Sequence, residues 1–433
     1  MFEFLPSIYY SLGFILIFWY LVKHNCNNMS KYIVAIWIVS SIYALIVHVL
    51  ISGNYSKISF LPYIYLHICF LVSLYPVIKF DYLKKKKLEN IYIKPYQILL
   101  YGFILVSIIP FIENLMYVLQ TYSSSNAAGL ADVYSDKMEI GFDSQKVITW
   151  LSPLGRLGNS IDGVFIDFLI FSLFFFLTIR SVSNIFLFAL AIPVANHILY
   201  QFAMAGRGVA AFFILLCVFF YFYFQRFIPK ERVSYIIKLG TVFVGGLIIA
   251  LSVLSYARKE ETNAGADDLL FFGYYLGKGH LDFNEDLWYI KKTTEGDNSF
   301  SYVKAFIGLD TFKDFLERRK YWNQRKTGVD PVLFYTYVGD WFMDFGGGIT
   351  FILICIASYC MTTYIRRKGS YNLLQLFMFF VYAKVLLQGW SINCFKLYGG
   401  MANLMIELIL LYIVMKVCKI SDKNNRKFNI FQK

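Results

Sequence analysis

Residues 32–51 have the sequence YIVAIWIVSSIYALIVHVLI, a run of twenty residues without an acid, a lysine or an arginine. A helix needs about 20 predominantly apolar residues to cross the hydrocarbon core of a bilayer, so this run predicts a membrane-spanning helix. Ten further runs of similar composition follow or precede it. Together the predicted spans are residues 4–22, 32–51, 60–79, 97–119, 161–179, 184–204, 208–226, 234–255, 341–364, 371–390 and 399–417.

The composition indicates the same class of protein. Of the 433 residues, 58% are hydrophobic and only 16% are charged, which leaves too few polar residues to cover an ordinary globular surface. The formal net charge of +13 would suit nucleic acid, but the basic residues are concentrated in short segments between the apolar runs. There they report membrane orientation. We therefore expect an all-α polytopic membrane protein and no nucleic-acid partner.

The basic segments orient the predicted spans. With about 11 spans, the lysine run at 84–87, the link at 226–232, the segment at 366–368 and the C-terminal tail all face one side, and basic loops of this kind remain in the cytoplasm. The N-terminus is then outside and the C-terminus inside.

The other side receives an outward loop at 120–160 and a large, partly helical loop at 256–340. The chain thus divides into a membrane domain at 1–255 with spans 1–8, the periplasmic loop at 256–340, and a membrane domain at 341–433 with spans 9–11 and the basic tail.

Short helices are predicted within the large loop. One covers residues 269–276 and ends at Gly277. The segment that follows, 277–282, is predicted to be turn-like and exposed. Apolar residues at near-helical spacing between 300 and 316 predict an amphipathic helix on the membrane surface.

Most ionisable side chains within the spans are predicted to lie in the outward half; Lys79 and Lys238 fall in the cytoplasmic half, near enough to a span end to snorkel. Lys384 and Glu407 fall at similar depths on consecutive antiparallel spans, so a mutual salt bridge is one interpretation and contact with a substrate the other, since intramembrane charges are usually paired. The outward half also holds His48, His67, Glu113, Asp167 and His197. This asymmetry predicts an outward-facing polar cavity.

Arginines are the candidate anion-binding residues. Arg207 lies between two glycines in a tight outward turn before a span, where the helix N-terminus and the guanidinium group both favour a phosphate; contact with lipid headgroups is the alternative. Arg258, at the outward end of the eighth span, would face the same layer. Further candidates are Arg318, Arg319, Arg325 and Trp322. Arginine beside an aromatic ring suits a pyrophosphate next to sugars, and a solvated charged surface is the alternative.

Carboxylates provide the remaining candidates. Asp340 and Asp344 are four residues apart on one helical face, where two like charges favour a neighbouring cation; a supporting role is predicted, with an arginine as an available partner. No further spacing completes a metal site. For a general base the loop offers His280, Asp282, Glu285 and Glu317, of which we place His280 and Asp282 first. An exposed, solvated histidine is the alternative for His280.

The layout resembles a known family. The turn around Arg207, the large outward loop and the sequence GDWFMDFGGG at 339–348 are similar to features of the Wzy-type oligosaccharide repeat-unit polymerases, which act in O-antigen and lipopolysaccharide biosynthesis. O-antigen ligases are similar in organisation. The ligases' histidine-centred signature is not evident, since His280 is the sole histidine of the 256–340 loop.

The resemblance implies a multi-pass enzyme of the bacterial inner membrane with its active site facing the periplasm. It implies a metal-independent glycosyltransferase without a cofactor, which transfers a growing glycan from undecaprenyl pyrophosphate to the next lipid-linked repeat unit. The implied partners are these lipid-linked oligosaccharides, the bilayer, a chain-length regulator and a flippase. A ligase-like transferase and a lipid-linked oligosaccharide flippase or transporter stay open as alternatives, although the long loop and the missing internal repeat argue against transport.

Overall fold

The structure is a computed structural model that describes residues 2–80, 92–124, 148–204, 207–234, 236–238, 240–241, 245–246, 268–309, 315–330, 335–366, 370–396 and 400–430. Over these residues the chain forms helices and connecting turns without a β-strand. The main helices are α1 (Leu5–Lys23), α2 (Asn28–Leu50), α3 (Phe60–Phe80), α4 (Lys94–Ser124), α5 (Pro153–Val164), α6 (Ile166–Leu177), α7 (Asn184–Ala203), α8 (Arg207–Phe224), α9 (Asp268–Glu285), α10 (Asp297–Phe306), α11 (Phe315–Lys320), α12 (Thr336–Arg366), α13 (Leu373–Gln388) and α14 (Gly400–Ile430).

Seven of the described helices are long and apolar enough to cross a membrane, which confirms the expected polytopic helical class. They are α1, α2, α3, α4, α7, α12 and the Gly400–Lys419 part of α14. Helices α5 and α6 are bent by 70° and together count as an eighth candidate. Each of these matches a span predicted from the sequence.

Three predicted spans are not among these candidates. Those at 208–226 and 371–390 correspond to the shorter apolar helices Ala211–Phe224 and Leu373–Gln388. The one at 234–255 falls mostly outside the described residues. The total of 11 spans and the orientation therefore stay predictions.

The chain separates into two compact units. One comprises Met1–Leu88 with Ala266–Leu404, and the other comprises Glu89–Gly265 with Met405–Lys433. Helices α9 to α13 thus belong to the same unit as α1 to α3. Much of the predicted large loop is therefore packed in one unit with the first three spans.

Glycines allow α9 to pack closely against α2. A Cβ atom at Gly277 would lie 2.4 Å from the backbone nitrogen of Ala44, and one at Gly273 would lie 2.1 Å from the Tyr43 ring. The expected helix end at Gly277 and the expected exposed turn after it are wrong, because α9 continues to Glu285. Packing against α2 compensates for the low helix propensity of glycine.

A sharp bend divides α12. Tyr337 donates a hydrogen bond from Oη to Ser73 Oγ (2.8 Å) on α3, and Ser358 donates from Oγ to the adjacent Val72 carbonyl (2.7 Å). A straight helix would separate residues 337 and 358 by about 31 Å. The two halves of α12 therefore return to the same part of α3, and the bend lies at Gly346, whose φ of 75° is left-handed.

The second unit has its own buried polar network. Asp162 on α5 is fully buried and accepts hydrogen bonds from Ser107 Oγ (2.6 Å) and Asn196 Nδ2 (2.7 Å). Asn114 Nδ2 donates to Asn196 Oδ1 (2.9 Å). Helices α4, α5 and α7 are thereby tied together, and each oxygen of the buried carboxylate has a partner, as buried polar groups require.

Candidate functional site

A fully buried ion pair lies in the first half of α12. Lys396 Nζ is 2.7 Å from Asp340 Oδ1, and both side chains are 0% exposed. Asp340 Oδ2 accepts the backbone N–H of Asn393 (2.7 Å), and Asn298 Nδ2 lies 3.4 Å from Oδ1. The cation next to Asp340 is therefore a lysine, where the sequence suggested an arginine. Hydrogen bonds of this kind offset part of the cost of removing two charges from water.

Asp344, one turn further along α12, caps the start of α10. Its carboxylate accepts the backbone N–H groups of Asn298 and Ser299, each at 2.9 Å, and the hydroxyl of Thr294. The residue at the N-cap position of α10 is Gly296, which has no side chain to perform this function. Asp344 thus supplies from another helix the acceptor that a capping residue normally provides.

His280 on α9 holds three helices together. Ser40 Oγ donates to the Leu276 carbonyl (2.6 Å), so the contact between Ser40 Oγ and His280 Nε2 (2.6 Å) has the ring N–H as its donor. Nδ1 then accepts from Tyr10 Oη (2.9 Å). Burial lowers the pKa of His280 to about 3 and His67 adds to this, so the ring is neutral. Both nitrogens are engaged and the residue is fully buried, in contrast to the exposed position expected.

Asp282 is also buried, at 2% exposure, and it faces Lys278 one turn earlier on α9. The distance from Lys278 Nζ to Asp282 Oδ2 is 2.5 Å, and Tyr55 Oη lies 3.4 Å from Oδ1. Burial raises the pKa of Asp282 to about 6, because it outweighs the opposing effect of Lys278. The two residues placed first as general base are thus both enclosed in this structure.

A pocket of about 520 Å³ lies near the end of α9. Its ionisable lining residues are Lys57, Glu285, Asp286, Lys291 and Lys292. All of these are exposed except Glu285, whose Oε2 accepts the backbone N–H of Lys57 (2.7 Å). Gln324 and Thr327 add polar side chains, and Tyr289, Ile290, Gly328 and Val329 complete the wall. The pocket combines lysines, which attract anions, with carboxylates, which accept hydrogen bonds from hydroxyl groups.

Two of the candidate arginines are held by carboxylates. Arg318 Nε is 3.0 Å from Asp297 Oδ2, and Arg319 Nε donates to both oxygens of Asp330 at 3.0 Å. Trp322 is 6% exposed and donates from Nε1 to Asp297 Oδ2 (2.6 Å). Asp297 therefore contacts both Arg318 and Trp322. Trp322 has little exposed surface on which a sugar ring could stack.

The other predicted site residues are only partly described. Arg207 begins α8, in agreement with the expected helix N-terminus, while its side chain and the whole of Arg258 lie outside the described residues. Arg325 is in the π-helical turn Tyr321–Thr327, and its side chain is likewise outside them. Lys384 is on α13, and Glu407 Oε1 accepts the backbone N–H of Phe168 (3.0 Å). The proposed pairing of Lys384 with Glu407 stays a prediction.

Sequence reasoning missed several residues of the site. Lys396 lies beyond the predicted tenth span, where nothing in the sequence connects it to Asp340. Lys57, Lys291 and Lys292 are ordinary surface lysines by sequence, and no sequence signal marks Asp286 beside the candidate Glu285. Three-dimensional proximity alone identifies them.

Comparison with protein-family models, curated proteins and solved structures gave no match to this chain. Across the residues that the structure describes, no group of three or more His, Cys, Asp or Glu side chains is arranged to hold a metal ion. The resemblance in layout therefore stays an expectation. The observations that bear on function are the pocket and the buried Asp340–Lys396 pair.

Proposed function

We propose that this chain is a polysaccharide polymerase that transfers a growing glycan from undecaprenyl pyrophosphate to the next lipid-linked repeat unit. The proposal includes 11 spans, a bacterial inner-membrane location and a pocket that faces the periplasm. The observation that carries it is the mixed-charge pocket of about 520 Å³ beside membrane-spanning helices. A ligand that is anionic at one end and rich in hydroxyl groups at the other fits such a lining.

The lysines of the pocket suit the leaving group. Lys57, Lys291 and Lys292 are close enough to line one cavity, and ammonium groups stabilise the charge that develops on a departing pyrophosphate. In this proposal they replace Arg318 and Arg319, whose guanidinium groups are bound to Asp297 and Asp330. Arg207 and Arg258 keep their proposed role in phosphate binding.

The carboxylates suit the acceptor. Asp286 is exposed in the pocket and would accept the proton of the acceptor hydroxyl as its oxygen attacks the anomeric carbon. The bond from that carbon to the pyrophosphate oxygen breaks in the same step, and undecaprenyl pyrophosphate departs with the electron pair. His280 and Asp282 then act as positioning residues that hold α9 in place.

The cellular test is deletion followed by complementation. We expect the deletion strain to export and display glycans one repeat unit long, and the wild-type chain to restore long polymers. Asp286→Asn should fail to restore them, whereas Glu231→Gln, the equivalent exchange at an exposed carboxylate that does not line the pocket, should succeed. Restoration of normal chain length by Asp286→Asn would rule out the proposed base.

A transporter of lipid-linked oligosaccharides is the second candidate, and one observation favours it. Transporters place ion and substrate sites at broken membrane helices, and α12 is bent at Gly346 with the buried Asp340–Lys396 pair in its first half. The same deletion strain distinguishes the two. Accumulation of lipid-linked units on the cytoplasmic side would favour transport over polymerisation.

A further inference from the structure

Two buried amide atoms beside the Asp340–Lys396 pair have no hydrogen-bond partner in the described part of the chain. They are Asn298 Oδ1, an acceptor, and Asn393 Nδ2, a donor. The two residues are 2% and 1% exposed. Ser299 Oγ, in a residue that is 4% exposed, is a third such atom. Unpaired groups at this depth are costly, and each one in a native protein calls for an explanation.

The surroundings fix the orientation of both amides. Asn298 directs its Nδ2 towards Asp340 Oδ1, and an exchanged amide would place oxygen against the carboxylate. Asn393 Oδ1 accepts the backbone N–H of Phe395 (3.2 Å), and its own backbone N–H donates to Asp340 Oδ2. The unpaired acceptor and the unpaired donor therefore belong to two residues that both contact one carboxylate.

We propose that Asn298 Oδ1 and Asn393 Nδ2 together form a subsite for one hydroxyl group, supplied by a bound glycan or by water. A hydroxyl donates one hydrogen bond and accepts others, so it complements an amide oxygen and an amide N–H at once. Burial beside an ion pair selects a neutral group, because Lys396 already balances Asp340. For a glycan source, the inference rests on the proposed function.

Tyr335 is a neighbour of the Asp340–Lys396 pair. It is fully buried, and Lys396 Nζ lies 5.6 Å from its ring centroid. Burial raises the pKa of its phenol, and carboxylates that include Asp286 of the pocket and Asp340 of the pair raise it further. The phenol thus interacts electrostatically with carboxylates of both the pocket and the ion pair.

The direct test is a structure of the full chain in lipid nanodiscs at a resolution that shows ordered water. It is determined with and without an undecaprenyl-pyrophosphate-linked repeat unit. We expect a density feature within hydrogen-bond distance of both Asn298 Oδ1 and Asn393 Nδ2. A water-sized feature in both samples identifies water as the source, and density continuous with the ligand identifies the glycan. Absence of any feature in both samples would overturn the proposal.

Kinetics separate the two sources independently. If a glycan hydroxyl binds there, Asn298→Leu should raise KM for the repeat unit about tenfold with little change in kcat, as expected for the loss of a single hydrogen bond. An unchanged KM assigns the subsite to water. Asn54→Leu, at an exposed position, is the matched control. If the wild-type chain extends no glycan, the proposed function fails, and the density still decides the hydroxyl subsite.

Discussion

At the scale of single residues, the unit formed by Met1–Leu88 and Ala266–Leu404 contains an ion pair that is buried away from water. Asp340 and Lys396 are both 0% exposed and 2.7 Å apart, and the carboxylate also accepts a backbone N–H. An ion pair of this kind adds little stability compared with well-packed apolar residues, but loss of one partner leaves the other charge buried alone. The pair is therefore sensitive to single substitutions.

Lys396→Met should lower the free energy of unfolding by about 3–5 kcal/mol, because Asp340 loses its cation. Chemical unfolding in detergent micelles, followed by tryptophan fluorescence, measures the change. Lys304→Met is the control, since Lys304 Nζ is 25% exposed and 3.9 Å from Asp297. Asp297 keeps Arg318 and Trp322 as partners, so a change of about 0–1 kcal/mol is expected. Equal effects of the two substitutions would contradict the assigned ion pair.

His280 should make stability depend on pH. Its pKa is about 3 in the folded chain and 6.5 as the ordinary value, so the unfolded chain binds a proton first as the pH falls. The stability that the neutral ring confers is complete above pH 6.5 and is lost towards pH 3, with a loss of about 2 kcal/mol at pH 5. His280→Gln should flatten this dependence in unfolding experiments at pH 7 and pH 5. A wild-type chain that is equally stable at pH 7 and pH 5 would contradict the low pKa of His280.

Residue types could be predicted more readily than their partners. The spacing of Asp340 and Asp344 indicated that they require compensation, which the structure provides. The cation is Lys396, 56 residues away in sequence, and no local pattern connects the two. His280 was recognised as a polar candidate, but its burial depends on how α9 packs against α1 and α2.

At the scale of elements, close packing of α9 on α2 brings residues of the predicted loop among the spans. Gly277→Ala should lower the free energy of unfolding by about 1–3 kcal/mol, because the added Cβ would lie 2.4 Å from the Ala44 nitrogen and overpacking strains the backbone. Gly102→Ala on α4 is the matched control, since its Cβ meets no atom within 4 Å. Thermal unfolding in micelles compares them. Similar midpoints for both variants would refute the close approach.

Arg232 fixes the end of α6 in the second unit. Its guanidinium group donates to the carbonyls of Phe176, Leu177, Ile179, Arg180 and Val182 at 2.6–3.4 Å. Arg232→Ala should lower the free energy of unfolding by about 1.5–3 kcal/mol, since these bonds involve a charged donor. Arg180→Ala, at a site 77% exposed, should change it little in the same assay. An Arg232→Ala variant as stable as the wild-type chain would contradict this capping role.

Helix positions follow from the sequence far better than helix bends. Hydropathy is a local property, so the ends of α1, α3 and α7 lie within a few residues of the predicted spans. The bend of α12 is set by Gly346 together with contacts to α3, and three consecutive glycines specify flexibility without a direction. The pocket could not be predicted from local sequence either, because it forms where the end of α9 lies next to residues 324–329.

At the scale of the whole molecule, one unit joins the first 88 residues to residues 266–404. This unit contains the pocket, the buried ion pair and the proposed hydroxyl subsite. The chain class followed from composition alone, whereas the site required contacts between segments more than 200 residues apart. The proposed transfer between lipid-linked glycans rests on these features.

The decisive measurement is extension of a defined undecaprenyl-pyrophosphate-linked repeat unit by the purified full chain in liposomes, with product length resolved by electrophoresis. The account predicts a ladder of polymers from the wild-type chain. It predicts a rate at least about tenfold lower from the Lys291→Ala/Lys292→Ala double variant, which loses charged contacts to the leaving group. Lys304→Ala should match the wild-type rate. A wild-type chain that never adds a second unit, or a double variant with an undiminished rate, would contradict the account.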